Sequence, residues 1–390
     1  MEKVYLRNLF FNVFKENEGL RFFFAPGRVN LIGEHTDYNG GLVFPCALSV
    51  GTYAVVKERD DDLVRLYSEN FPEVGVVTFK LSQLEKNKEH EWANYCKGVL
   101  ATMEKHGYKG SNGFDAVVYG NIPNGAGLSS SASIELVTAV LWDALQQFNV
   151  DRVKLVQYAQ EAENDYIGVN CGIMDQFAIS MGKEEHAILL DCNTLDYEYA
   201  PAKLNGVKLV IANTMKQRGL ADSKYNERRA QCERAVAELN QSEEVSIDHL
   251  CSLTPAQFEA VQHHIADPVV LKRARHAVYE NARTKLAVEK LNEGNVSGFG
   301  QLMNESHVSL RDDYEVTGKH LDALVEAAWE EDGVLGSRMT GAGFGGCTVS
   351  LIKEENLEEI VKRIEERYKQ KTNVTPEFYI VNIGSGAAEF

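Results

Sequence analysis

Pro26-Gly-Arg-Val-Asn-Leu-Ile-Gly-Glu-His-Thr-Asp-Tyr-Asn-Gly-Gly41 joins an apolar run to Glu34, His35, Thr36 and Asp37 with no spacer between them. Phe22 to Leu31 has the pattern of a strand, and Asn39-Gly40 has the chemistry of a tight hairpin turn. A strand and a turn account for Asn39 and Gly40. They leave unexplained why two carboxylates and an imidazole follow Leu31-Ile32-Gly33 directly, with Arg28 just before them. Such groups accept hydrogen bonds from hydroxyls, and charge-assisted bonds of that kind contribute roughly 1.5–3 kcal/mol each. The cluster therefore suits a small polyhydroxylated ligand, which offers little apolar area to bury. A strand followed by a solvated hairpin stays open as the plainer reading.

The remaining composition narrows the class. A chain of 390 residues is too long for one typical core and predicts two domains. Net charge is −17, from 57 acidic and 40 basic residues, which argues against nucleic acid or an anionic membrane as a partner. The longest apolar run, Leu42 to Val56, is broken by Pro45 and Gly51 and is too short to span a bilayer. The opening Met-Glu-Lys-Val-Tyr-Leu-Arg has no apolar secretory core, so a cytoplasmic protein is expected. Seven cysteines, without a CxxC pair or zinc-like spacing, read as free thiols.

Periodicity predicts a helix over 4–14 and strands over 21–32, 42–48, 51–58 and 63–68. A strand over 114–119 leads to helices over 132–145 and 151–166, then to strands over 186–192 and 207–213. The polar stretch 193–206 marks a boundary between domains 1–200 and 201–390. Beyond it the chain reads as helical over about 218–330, apart from an acidic loop at 241–248. It closes as strand-turn-strand (334–353), helix (355–370) and strand (376–382), an α+β arrangement. The basic run Lys272-Arg-Ala-Arg-His276 reads as a solvated helix face.

Two glycine-rich segments and one glycine-flanked acid carry further chemistry. Pro123-Asn-Gly-Ala-Gly-Leu-Ser-Ser-Ser131 lies between a strand and a helix, where small residues let backbone N–H groups and the helix dipole hold a phosphate. No lysine follows its glycines, so it is not a Walker A loop. The serines add hydroxyl donors and a candidate Mg²⁺ ligand, against the alternative of an ordinary serine N-cap. Thr340-Gly-Ala-Gly-Phe-Gly-Gly346 contains GxGxxG, yet a strand pattern follows it, which excludes a dinucleotide-binding turn. It reads either as a turn between strands or as a backbone wall beside the phosphates or substrate. Asp175, with Gln176, sits in a glycine-flanked turn after a helix carrying Glu161 and Glu163.

Together these segments resemble the three signature motifs of the GHMP small-molecule kinases, and GRVNLIGEHTDYNGG (27–41) resembles the sugar-binding signature of the galactokinase branch. PNGAGLSSSASIE (123–135) resembles the family's phosphate loop and TGAGFGGC (340–347) its third motif, while CGIMDQ (171–176) and SKYNERR (223–229) are similar to galactokinase segments. The resemblance implies an ATP:D-galactose 1-phosphotransferase using Mg²⁺, with galactose and ATP as its small-molecule partners and no obligate protein partner evident. It implies an α+β, two-domain GHMP kinase fold, with an N-terminal ribosomal-protein-S5-domain-2-like domain and a C-terminal ferredoxin-like domain. Asp175 matches the catalytic base and Arg28 the neighbouring charge stabiliser. Glu34, His35, Thr36, Asp37, Gly172 and Tyr225 match the sugar site. Gly125, Ala126, Gly127, Leu128, Ser129, Ser130 and Ser131 match the loop around the phosphates, Ser68 and Trp92 match positions near the adenine end, and Ser131 and Glu163 match the Mg²⁺ ligands. An N-acetylgalactosamine kinase is the alternative within the class. A sensor that has lost catalysis is the alternative outside it, and the intact serine run and Asp175 weigh against that.

Overall fold

The computed structural model describes residues 2–122, 127–216, 221–242 and 244–390. The first half builds α1 (Glu2–Phe14), β1 (Arg21–Asn30), β2 (Leu42–Val43), β3 (Pro45–Glu58), β4 (Leu63–Ser68), β5 (Val77–Lys80), α2 (Ala93–Lys105), β6 (Phe114–Gly120), α3 (Ser130–Gln146), α4 (Arg152–Glu161), α5 (Met174–Met181), β7 (His186–Asp191) and β8 (Tyr197–Pro201). The second builds β9 (Val207–Asn213), α6 (Ala221–Asn240), α7 (Pro255–Val261), α8 (Pro268–Asn292), α9 (Val296–Ser309), α10 (Gly318–Trp329), β10 (Val334–Thr340), β11 (Cys347–Lys353), α11 (Leu357–Thr372), β12 (Glu377–Val381) and β13 (Ala388–Glu389). Strand order is β13-β1-β3-β6-β4-β5 in the large sheet, β10-β11-β9-β12 in the second and β2-β7-β8 in a small third.

The large sheet is covered on both faces, and alternation along its strands shows how. Phe114, Ala116 and Val118 of β6 pack with α2, α3 and α4, whereas Val117 packs with Leu6 and Phe10 of α1. In β3, Ala54 and Val56 take the first face, and Tyr53 and Val55 the second. Strands buried on both sides read as continuous apolar runs. A separate core joins Val29 and Leu31 near the end of β1 to Leu209 and Ile211 of β9, Phe299 of α9 and Val349 of β11. Through it the sugar-like signature is fastened to the second half of the chain.

Several elements differ from their sequence reading. The runs 42–48 and 51–58 form one long strand, β3, preceded by the two-residue β2. Gly51 is needed inside that strand because a Cβ there would lie 2.2 Å from the Ala25 carbonyl oxygen. Asn39-Gly40 makes no hairpin: Asp37–Asn39 is a 3₁₀ turn closed by left-handed Gly40, and β1 pairs with β3 instead. The polar stretch 193–206 contains β8, paired antiparallel with β7. Asp175 stands in the first turn of α5, not in an open turn. The basic run on α8 is only partly solvated, since Arg273 and His276 are buried; Arg273 donates to Glu315 at 2.7 Å. None of the seven cysteines is joined in a disulfide, and no helix among the described residues is long and apolar enough to cross a membrane.

Candidate active site

A β-bulge aims the first candidate residue. The register of β1 against β3 shifts between Pro26 and Arg28, and Gly27 brings the backbone so close to the loop before α3 that a Cβ would lie 2.9 Å from the Leu128 carbonyl oxygen. The Arg28 amide donates to that carbonyl at 3.2 Å. Its side chain, 9% exposed, then forms a fork with Asp175, Nε to Oδ1 and Nη2 to Oδ2 both at 2.7 Å, while Nη1 donates to the Gly127 carbonyl at 2.7 Å. Bidentate pairing fixes both side chains in one plane.

The same carboxylate settles the serine question. Ser129 is the N-cap of α3 but makes no side-chain cap; it lies at φ 61° and its hydroxyl donates to Asp175 Oδ2. An ordinary serine N-cap is thereby excluded, and the first N–H groups of α3 keep no side-chain acceptor from it. Leu128 anchors this loop in the core, and Gly127 takes a left-handed φ of 66°. Gly125 and Ala126 lie outside the described residues.

Around Glu34 the backbone is held in unusual conformations. Gly33 has φ 91° and His35 φ 62°, the latter sparsely populated for a residue with a side chain. Glu34 is buried, and its Oε1 accepts from the Gly341 amide at 2.8 Å, Thr340 Oγ1 at 3.1 Å and Arg338 Nη1 at 3.4 Å. The His35 ring meets the Tyr38 hydroxyl through Nδ1 at 2.8 Å and sits among Tyr38, Tyr225 and Tyr314. Burial pushes its pKa down to about 3, so the ring is a neutral donor and acceptor at physiological pH. Thr36 differs from its neighbours: its hydroxyl faces the Gly33 and Leu42 carbonyls at 2.9 and 2.7 Å, so the side chain braces the loop.

Asp37, Gly172 and Tyr225 line one cavity of about 370 Å³. A Cβ on Gly172 would lie 3.0 Å from Asp37 Oδ2, so a side chain there would crowd that carboxylate. Burial, followed by repulsion from Glu34 and Asp175, pushes the Asp37 carboxyl up to about 6. Ser68, Trp92, Ser130 and Ser131 line a second cavity of about 180 Å³, together with Phe71, Tyr95 and Ile134, whose apolar faces suit a flat aromatic ring.

Glu163 enters from a π-helical turn, Ala162–Ile167, that continues α4. It is buried, and burial raises its pKa against hydrogen bonds from Ser131, Cys171 and Gln176. Gln176 Nε2 bridges Glu163 Oε2 at 2.6 Å and Glu135 Oε2 at 3.3 Å. Glu135 is fully buried, and its pKa is pushed up to about 10 by burial and by Glu163. Among the described residues neither acid has a Lys, Arg or His ion-pair partner. Hard oxygen donors without a cation fit Mg²⁺.

Sequence reasoning did not select Glu135, Tyr38, Tyr314 or Arg338. Glu135 follows Ser131 by one helical turn and was readable on that face of α3, whereas nothing local marks Tyr314 or Arg338, which arrive from α9's continuation and from β10.

The galactokinase galactose-binding signature matches residues 8–58, the GHMP kinases N-terminal domain 94–183 and the GHMP kinases C-terminal domain 287–370. The galactokinase of Fusobacterium nucleatum is 58% identical, with 97% of each chain covered, and that of Bacillus subtilis is 54% identical, with 98% of each covered. The crystal structure of Lactococcus lactis galactokinase complexed with galactose superposes with a TM-score of 0.94 at 47% identity, covering all of both chains. Methanococcus jannaschii mevalonate kinase shares the fold alone, with a TM-score of 0.69 at 17% identity over 94% of this chain and 99% of its own. With the signature segment bonded through Arg28 to Gly127 and Asp175 and through Glu34 to Gly341, and with full-length relatives above half identity, the chain belongs to the galactokinase family of GHMP kinases.

Proposed function

We propose that this chain transfers the γ-phosphoryl group of ATP to the C1 hydroxyl of D-galactose, with Asp175 as the base and Arg28 as the charge stabiliser. The observation that carries the reading is the Arg28–Asp175 fork, tied to the phosphate-loop side through the Gly127 carbonyl and Ser129. Asp175 Oδ2 already accepts from Arg28 and Ser129, whereas among the described residues Oδ1 accepts from Arg28 alone, which leaves it a lone pair to take the proton of a sugar hydroxyl. Phosphoryl transfer needs positioning and charge neutralisation more than covalent help. In a loop without lysine, Arg28 and the N–H groups at the start of α3 supply that.

Glu34, His35, Asp37, Gly172 and Tyr225 form the proposed sugar side. Gly125 to Ser131, Ser68 and Trp92 form the nucleotide side. With the domains divided at 200/201, all of these except Tyr225 come from the first. Ser131 and Glu163 would hold Mg²⁺, and the ion, when bound, neutralises phosphate charge. A coupled assay with ATP, Mg²⁺ and a sugar panel tests the reading. Galactose should be phosphorylated well above glucose and N-acetylgalactosamine, and equal efficiency on all three would refute it.

A further inference from the structure

We propose that Thr340, the Gly341 amide and Arg338 form a clamp that aims the Glu34 carboxylate, so that the third glycine-rich motif positions a sugar-binding group. The inference rests on the reading above that Glu34 contacts the sugar. All three donors converge on one oxygen, Oε1, at 3.1, 2.8 and 3.4 Å. Oε1 is thereby committed to the protein, and Oε2 receives none of these three bonds. The main chain at the same residue is held as well: His276 Nε2 meets the Glu34 carbonyl at 3.1 Å. A carbonyl only accepts, so Nε2 carries the proton, and the neutral ring then accepts at Nδ1 from Ser309 Oγ, 2.8 Å away.

Arg338 is fully buried and Nη1 also donates to the Asn30 and Leu31 carbonyls, both at 3.2 Å; its Nε and Nη2 have no hydrogen-bond partner among the described residues. Among the described residues Glu34 is its ion-pair partner. The clamp therefore offsets a buried guanidinium while it removes rotamer freedom that a glutamate would otherwise lose on binding a ligand. Every clamping group lies more than 200 residues downstream of Glu34, so the sugar side is completed only when β10 and α8 dock against the signature segment.

Thr340→Val is the test, because valine matches threonine in shape and lacks the hydroxyl. Thr340 shares one proton between the Asn30 carbonyl and Glu34 and leaves two other donors in place, so the effect falls at the low end for a bond to a charged acceptor, about tenfold. The galactose KM and the calorimetric galactose Kd should rise by that factor while kcat and the ATP KM stay within about twofold. Thr340→Ser restores the hydroxyl and should restore the galactose KM. Arg338→Lys keeps the buried charge but not the Nη1 donor and should shift the same two galactose constants, which covers the case in which Thr340→Val does not fold. Galactose constants unchanged in both variants, with Glu34→Gln still raising them, would overturn the clamp and leave the sugar reading standing. Glu34→Gln without effect on galactose binding would overturn the sugar reading itself.

Discussion

Replacing Asp175 by Asn keeps the size of the side chain and removes its charge, and the fork with Arg28 allows the consequences to be worked out. Both carboxylate oxygens accept from the guanidinium at 2.7 Å, and Oδ2 also accepts from Ser129. An amide keeps one acceptor oxygen and turns its NH₂ toward a guanidinium donor, so one of the two Arg28 bonds is lost. Bonds to charged groups contribute roughly 1.5–3 kcal/mol, and the low end of about 1.5 applies because the Asp175 side chain is 28% exposed. The melting temperature should therefore fall by only about 2–4 °C. Galactose binding, measured by calorimetry, should survive. Single-turnover phosphorylation should fall by about 10²–10⁴, the usual range for a general base. Arg28→Ala should also slow transfer, and the double variant should lose less than the product of the two single losses if the pair acts as a unit. Full binding with a rate reduced by less than about threefold would remove Asp175 from the chemistry.

Glu163→Ala should raise the Mg²⁺ concentration needed for half-maximal rate and cut turnover while galactose affinity stays nearly unchanged; identical Mg²⁺ dependence would sink the metal assignment. The acid limb of kcat/KM for galactose should follow Asp37. Burial pushes its carboxyl up to about 6, so the ionised form, proposed to grip the sugar, is lost as pH falls through that value. Folding has the opposite sign: the folded pKa is raised, so ionisation of Asp37 weakens the fold as pH rises from the ordinary carboxylate range to about 6. His35, held down at about 3, contributes nothing to that limb, and a His35→Gln enzyme that loses it would contradict the assignment. Gly172→Ala should raise the galactose KM about tenfold, as loss of one charged hydrogen bond would, because the new methyl meets Asp37 Oδ2 at 3.0 Å; the melting temperature, read by calorimetry, should barely move.

The sequence by itself determined the family, the reaction class and the identity of most proposed groups, because those depend on residue types at fixed spacing within short segments. Pro26 to Gly41, the serine run and Asp175 could be read without a fold. It also carried the rejection of a dinucleotide turn at 340–346, since β11 follows the glycines and pairs back onto β10. What periodicity could not supply was direction. Thr36 shares its segment with Glu34 and Asp37, yet its hydroxyl turns to backbone carbonyls; Arg273 and His276 belong to a basic run, yet face the interior. Local propensity also misplaced Asp175 in a turn, because the buried face of Phe177, Ala178 and Ile179, which makes 174–181 a helix, has meaning only against the rest of the domain. Only the tertiary structure decided which atoms of distant segments meet. Arg28 faces Asp175 across 147 positions and Glu34 faces Gly341 across 307, contacts fixed by the bulge at Gly27 and by the core shared between β1 and β11. No pattern within one segment encodes such a meeting, since it arises from packing several apolar faces at once.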